Sequence, residues 1–179
     1  MKIYDISLEI SDNIPVYKNK SEKKPKISVT RTLKEGTNEA KIEVDLHTGS
    51  HADAPYHVLP NGKTIEKIPL DRFFGKCVVL DFIKVKGCIT SNDLKKYSSK
   101  IKKDSIVLLK TRNSPMKTFD FEFAYLEKSG AQFLASKKIK AVGIDALGIE
   151  RNQEGHPTHN ALLGKNILIF EGLELSKVK

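Results

Sequence analysis

The chain has no tryptophan, two methionines and two cysteines, and aromatic residues make up only 7% of its 179 positions. Two cysteines cannot frame a disulfide-stapled fold and fit reduced thiols in a chain of this length. Cys77, inside the apolar run CVVLDFI, is expected in the core, and no base stands near it in sequence to activate it. No segment approaches the roughly 20 apolar residues that cross a bilayer. The N-terminal MKIYDISLEI resembles a strand rather than a signal peptide, so the expectation is a cytoplasmic protein with no membrane partner. Arginine is scarce too, with four residues in a chain of formal net charge +9. Lysines carry the charge in small groups at Lys18 to Lys26, Lys95 to Lys103 and Lys137 to Lys140. They lack the planar forks that read phosphates and base edges, and no recognition motif accompanies them, so nucleic acid is not an expected partner. Attraction of an anionic small molecule remains open to such a charge. Ser114, before Pro115, lacks the G-x-S-x-G frame of a serine hydrolase.

Against these absences stands a dense cluster. Residues 47–57 read HTGSHADAPYH, three imidazoles and one carboxylate within eleven positions. His47, His51, Asp53 and His57 all fall at odd positions, so an extended backbone projects them to one side. A helix would gather only His47 and His51, and Gly49 and Pro55 both oppose one, so a strand running into a loop is predicted. A single histidine on a strand is usually an ordinary half-buried residue; three with an aspartate point to a metal. Imidazole nitrogen and carboxylate oxygen suit zinc, manganese, iron or nickel, whereas calcium and magnesium prefer oxygen shells. His57, beyond the bend at Pro55, is either a ligand or a proton carrier.

A second cluster lies in HPTHNALLGKNILIFEGL, with His156, His159 and Glu171. A short helix through Leu162 and Leu163 is expected to close at Gly164. The apolar run Ile167 to Phe170 has strand length and would deliver Glu171 to its end. Alone, Glu171 reads as a solvated carboxylate before a turn and His156 as a loop residue beside Pro157. Beside a histidine cluster that needs more carboxylate to neutralise a dication, His159 and Glu171 could complete a two-metal site.

These residues resemble the hallmark HxGTHxDxPxH of the cyclase family of metal-dependent hydrolases, which includes bacterial kynurenine formamidase (arylformamidase) and isatin hydrolase. The match runs through His47, Gly49, His51, Asp53, Pro55 and His57, with Ser50 replacing threonine but keeping its hydroxyl. The opening IYDISLEISDNIPVY, the stretch LPNGKTIEKIPLDRFFGKCVVLDF and the later AVGIDALGIE resemble other parts of the family. The resemblance implies that His47, His51 and Asp53 bind metal with Asp53 bridging, that His159 binds a second ion and Glu171 bridges, and that His57 gives and takes protons. It implies two zinc ions per subunit, or manganese, and a homodimer or larger assembly. The chain departs from the family's usual residues at Lys18, Asn19 and Lys20, and at Ala146, Leu147, Gly148 and Glu150 after the GID strand. Those departures, like the missing tryptophan, bear on substrate more than on metal. The expected activity is hydrolysis of a small amide, with an N-formyl arylamine such as N-formylkynurenine as candidate. Hydrolysis of an isatin-like cyclic amide, or a non-catalytic metal-binding protein, are the alternatives.

Strands are predicted at Lys2 to Leu8, Lys26 to Leu33, Ala40 to His47, Cys77 to Ile83, Ser105 to Thr111, Ala141 to Ile144 and Ile167 to Phe170. Helices are predicted at Ser91 to Ser99 and Ser129 to Lys137, and Lys18 to Lys24 as a mobile surface loop. Asp145, ending an apolar strand, can either orient a ligand histidine or cap a turn. The length suits one domain over residues 1–179, and 39% hydrophobic residues suffice for a core. An α/β fold with a mixed sheet and few helices follows, and the resemblance implies the swivelling β/β/α architecture.

Overall fold

The computed structural model describes residues 2–179 and has the α/β class and mixed sheet expected of the sequence. Strands β1 (Lys26–Arg31) and β2 (Glu39–Glu43) form an antiparallel hairpin, followed by the short β3 (His51–Asp53). After β4 (Cys77–Asp81) and β5 (Cys88–Ile89) come α1 (Ser91–Lys95), β6 (Ile106–Lys110), β7 (Tyr125–Leu126) and α2 (Lys128–Ser136). The chain then forms β8 (Ala141–Ile144), α3 (Pro157–Leu163) and β9 (Leu168–Glu171). The central sheet has the order β3-β9-β8-β6-β4, parallel throughout except for the antiparallel edge strand β3.

Near-continuous apolar strands are what a sheet covered on both faces requires. Leu80, Val107, Leu109, Val142, Ile144 and Ile169 face one way, against Leu94, Ala131, Leu134, Leu162 and Leu163 of the three helices. The alternate residues Ile106, Leu108, Ala141 and Leu168 face the other way, under Leu173, Leu175 and the partly buried Ile6 and Phe73. Helix starts follow local chemistry. Thr90 and Asp93 form a reciprocal capping box ahead of α1, and the Glu127 carboxylate accepts the Ser129 N–H at the start of α2.

Several expectations need correction. Lys2 to Leu8 forms no strand, because only isolated bonds hold it, from the Glu174 N–H to the Ile6 carbonyl and from the Leu8 N–H to Ser50 Oγ. The strand expected to run on to His47 stops at Glu43, where the chain turns and the Thr48 N–H closes on the Asp45 carbonyl. Gly164 follows α3 but stays right-handed, and the left-handed residue is Asn166. Cys77 is exposed rather than core, since it begins an edge strand on the outer face of the sheet. Lys18 to Lys24 is folded into two 3-10 turns, with the Asn19 amide hydrogen-bonded to both the N–H and the carbonyl of Phe119. Among the described residues no helix is long and apolar enough to cross a membrane.

Candidate metal centre

The two distant clusters meet across one strand pair. Antiparallel pairing of β3 with β9 sets His51 opposite Glu171 and Asp53 opposite Ile169, so His51, Asp53 and Glu171 share the helix-covered face. The approach is close enough that a Cβ on Gly172 would sit 2.2 Å from the Gly49 carbonyl oxygen, and Gly49 and Gly172 both have positive φ, at 69° and 67°. The Ser50 hydroxyl closes the junction, donating to the Gly172 carbonyl at 2.5 Å and accepting the Leu8 N–H at 2.8 Å.

His47 and His57 reach the same place by turns rather than along the strand expected to run into a loop. His47 arrives from the turn after β2, and His57 from a 3-10 turn, Pro55–His57, begun by a proline that suits a first helical position. His159 comes down from α3. Its Nε2 lies 3.5 Å from Asp53 Oδ2 and 3.7 Å from Glu171 Oε1. His51 Nε2 lies 3.3 Å from Glu171 Oε2 and 3.7 Å from Asp53 Oδ1, and His47 Nδ1 lies 3.2 Å from Asp53 Oδ1. The His57 ring packs 4.3 Å from His47 and 5.5 Å from His159, centroid to centroid. All six residues singled out in the sequence are therefore brought together.

The centre is buried but electrostatically incomplete. The Asp53 side chain is fully covered, yet neither of its oxygens nor His51 Nε2 has a hydrogen-bond partner in good geometry. Buried polar atoms are rarely left so, and three at one point facing imidazoles and carboxylates describe a place for a cation. The proton affinities agree. Burial opposes the charge on His51, but the Glu171 carboxylate outweighs it and pushes its pKa up to about 9. Burial is likewise overcome at His159 by Asp53, Glu150 and Glu171, and its pKa rises to about 11. Asp53 stays well below the ordinary carboxylate range despite burial, because His159 and His47 stand beside it, and Glu171 is lowered against burial by His159 and His51. His57 behaves oppositely, since burial against its neighbours lowers its pKa.

Two residues left open by the sequence are now placed. Asp145 belongs to a turn: it accepts the Thr111 N–H and hydroxyl and the Ser114 N–H, remote from the histidine contacts. His156 stands at the rim, its Nδ1 2.8 Å from Glu150 Oε1, and that oxygen is also 2.8 Å from His159 Nδ1. Glu150, which in the sequence is marked only as a departure bearing on substrate, thus meets both late histidines. Its only signal of that contact was spacing, six and nine positions ahead of the two histidines.

Outward, the cluster opens into a cavity of about 520 Å³, within the usual range for small-molecule sites. Its walls include Tyr17, Lys18, Lys23, Leu147 and Gln153. The Tyr17 ring meets Phe119 edge-on at 4.9 Å, so an aromatic wall exists without tryptophan.

Known proteins give the cluster its context. A structure described as "Potential Metal-Dependent Hydrolase With Cyclase Activity" is 44% identical, with a TM-score of 0.90 over 99% of this chain and 84% of its own. A predicted metal-dependent hydrolase from Bacillus stearothermophilus, also 44% identical, has a TM-score of 0.89 over 99% of this chain and 85% of its own. The kynurenine formamidase of Erythrobacter litoralis is 26% identical over 99% of this chain and 81% of its own length. Isatin hydrolase A from Labrenzia aggregata, 22% identical with a TM-score of 0.84 over 97% of this chain and 80% of its own, shares the fold. The family model "Cyclase", described as "Putative cyclase", matches residues 4–151, most of the chain and all of the HTGSHADAPYH segment, and so the chain belongs to the cyclase family.

Proposed function

We propose that this cyclase-family protein is a metal-dependent hydrolase of small amides, with an N-formyl arylamine such as N-formylkynurenine as its substrate. The observation that carries the reading is the set of orphaned buried atoms, His51 Nε2 and both Asp53 oxygens, set directly behind His47, His159 and Glu171 of the cavity wall. The donor set fits zinc or manganese: His47, His51 and Asp53 would hold one ion and His159 a second, with the Asp53 and Glu171 carboxylates available to either. A divalent ion bound there supplies a water of pKa lowered to about 7 and positive charge for the substrate carbonyl oxygen.

The chain's own residues do the rest. Tyr17 provides a flat apolar wall for an aryl ring, and the lysines of the rim draw an anionic side group. Burial lowers the pKa of His57, which favours the neutral ring able to accept a proton. It takes the proton of the attacking water on a ring nitrogen and delivers it to the amide nitrogen as the C–N bond breaks. Formate and an arylamine leave.

The test joins metal content of the purified protein to formate release from N-formylkynurenine, before and after chelation. Loss on chelation and return with zinc or manganese is expected; metal without formate would discard the substrate, and no metal would discard the class. Release of a single ring-opened product from isatin would favour the cyclic-amide alternative. His57→Ala should keep its metal and lose about 10²- to 10⁴-fold in turnover, the usual contribution of a positioned acid–base group; normal turnover would remove the proton-transfer role.

The active form, on this reading, is a homo-oligomer. Every residue of β1 and β2 is exposed, and Ile27, Val29, Leu33, Ile42 and Leu46 lie uncovered on or beside the hairpin. A lone two-stranded hairpin is marginal in water, and apolar patches of this kind call for a partner. Light scattering that gave a monomer at micromolar concentration would refute this.

A further inference from the structure

The two buried imidazoles of the centre are aimed by different devices. His51 Nδ1 stands 3.0 Å from the Gly49 carbonyl, a neutral acceptor in its own strand connection. His159 Nδ1 stands 2.8 Å from a carboxylate, Glu150 Oε1. Either acceptor keeps the proton on Nδ1 and turns the Nε2 lone pair toward Asp53 and Glu171, but only the carboxylate also adds charge and ligand basicity.

Glu150 is built for that task. Its side chain is 5% exposed. It is saturated with donors: Oε1 takes the His159 and His156 rings, and Oε2 takes the Thr158 N–H at 2.8 Å and the Gln153 amide at 3.3 Å. An ionised carboxylate with this many donors has no freedom to rotate away. The backbone around it is held as well. The Ile149 N–H donates to Glu171 Oε1 at 2.5 Å, and the Ile149 carbonyl accepts the Leu126 N–H. One dipeptide thus steers both late members of the centre, Glu171 through an amide and His159 through a carboxylate.

Building on the proposed metal reading, we infer that Glu150 is a positioning residue that fixes the orientation of His159 and thereby sets the affinity of the ion His159 holds. Both Glu150 oxygens are taken up by protein partners, so on this inference Glu150 acts on the ion through the His159 ring. Its effect must therefore pass through His159 and vanish when that ring is gone, which a purely structural role for Glu150 would not do.

A double-mutant cycle with cobalt(II) as the probe decides it. Metal-free protein receives Co²⁺ stepwise, and binding is followed by calorimetry and visible absorption. Glu150→Gln, which keeps an acceptor but loses the charge and sets an NH₂ group among donors, should weaken the affected step about 10- to 100-fold. In the His159→Ala background the same substitution should change nothing further. Glu150→Asp, which keeps the charge but draws it back by one methylene, should fall between wild type and Glu150→Gln, and serves in its place if the glutamine variant does not fold. An undiminished affinity in both Glu150 variants, or an equal loss with and without His159, overturns the inference. Failure of the wild-type protein to take up Co²⁺ or zinc would instead overturn the metal reading on which it rests.

Discussion

Two buried aspartates sit at strand ends of the same sheet and have opposite surroundings. Asp145, just beyond β8, is completely covered and meets three donors, two from Thr111 and one from Ser114. Asp53, the last residue of β3, is equally covered and meets none in good geometry. Burial raises the proton affinity of Asp145, and its donors only partly oppose it, whereas the imidazoles around Asp53 overcome burial and hold it ionised. On the proposed metal reading, the contrast separates a structural carboxylate from a functional one. Burial alone says nothing about role; burial without donors, among imidazoles, says that positive charge is the missing partner.

The strongest way to break this comparison is to neutralise each aspartate in turn. On the proposed reading Asp53→Asn should cost more than the about 100-fold in metal affinity that loss of an outer partner costs, seen as metal content after dialysis, while Asp145→Asn should keep its metal. If both variants bound metal normally, the distinction would be lost. Next in size is the stability of the metal-free protein. On the same reading an ion would bind the folded chain through groups assembled only there, so free metal at a hundredfold excess over its Kd should add about 2.7 kcal/mol, read as a higher unfolding temperature. The same addition to Asp53→Asn should do much less. Asp145→Asn should then cost about 1–3 kcal/mol in denaturant unfolding, since an amide cannot accept from all the donors now paired with the carboxylate. Smallest is Ser50→Ala, which removes the hydroxyl between Leu8 and Gly172 and should cost about 1 kcal/mol without emptying the centre. A large metal loss there would mean that the strand junction, rather than the ligands, governs binding.

Much of the centre was legible because its chemistry is concentrated. Three histidines and an aspartate in eleven residues stand out whatever the backbone does, and the apolar run before Glu171 announced the strand that carries it. The local path was less legible. An extended strand running into a loop accounts in the sequence for the convergence of His47 to His57, whereas a turn, a three-residue strand and a 3-10 turn achieve it, because Gly49 and Pro55 break the run on either side. Asp145 was open to either an orienting or a capping role, and Glu150 stood out only as a departure from the family's usual residues. Both follow apolar residues in the same segment, and only the folded chain sets Asp145 against Thr111 and Glu150 against His159.

By itself, then, the order of residues determined the parts: apolar strands covered on both faces, glycines where the backbones must touch, and a set of nitrogen and oxygen donors too dense for a bland surface. Tertiary structure alone decided which carboxylates lose their water without gaining a donor. That outcome depends on register, on His51 falling opposite Glu171 across two strands separated by more than a hundred residues. Pairing over such a distance is settled when the whole sheet packs and the buried face of each strand fixes its register.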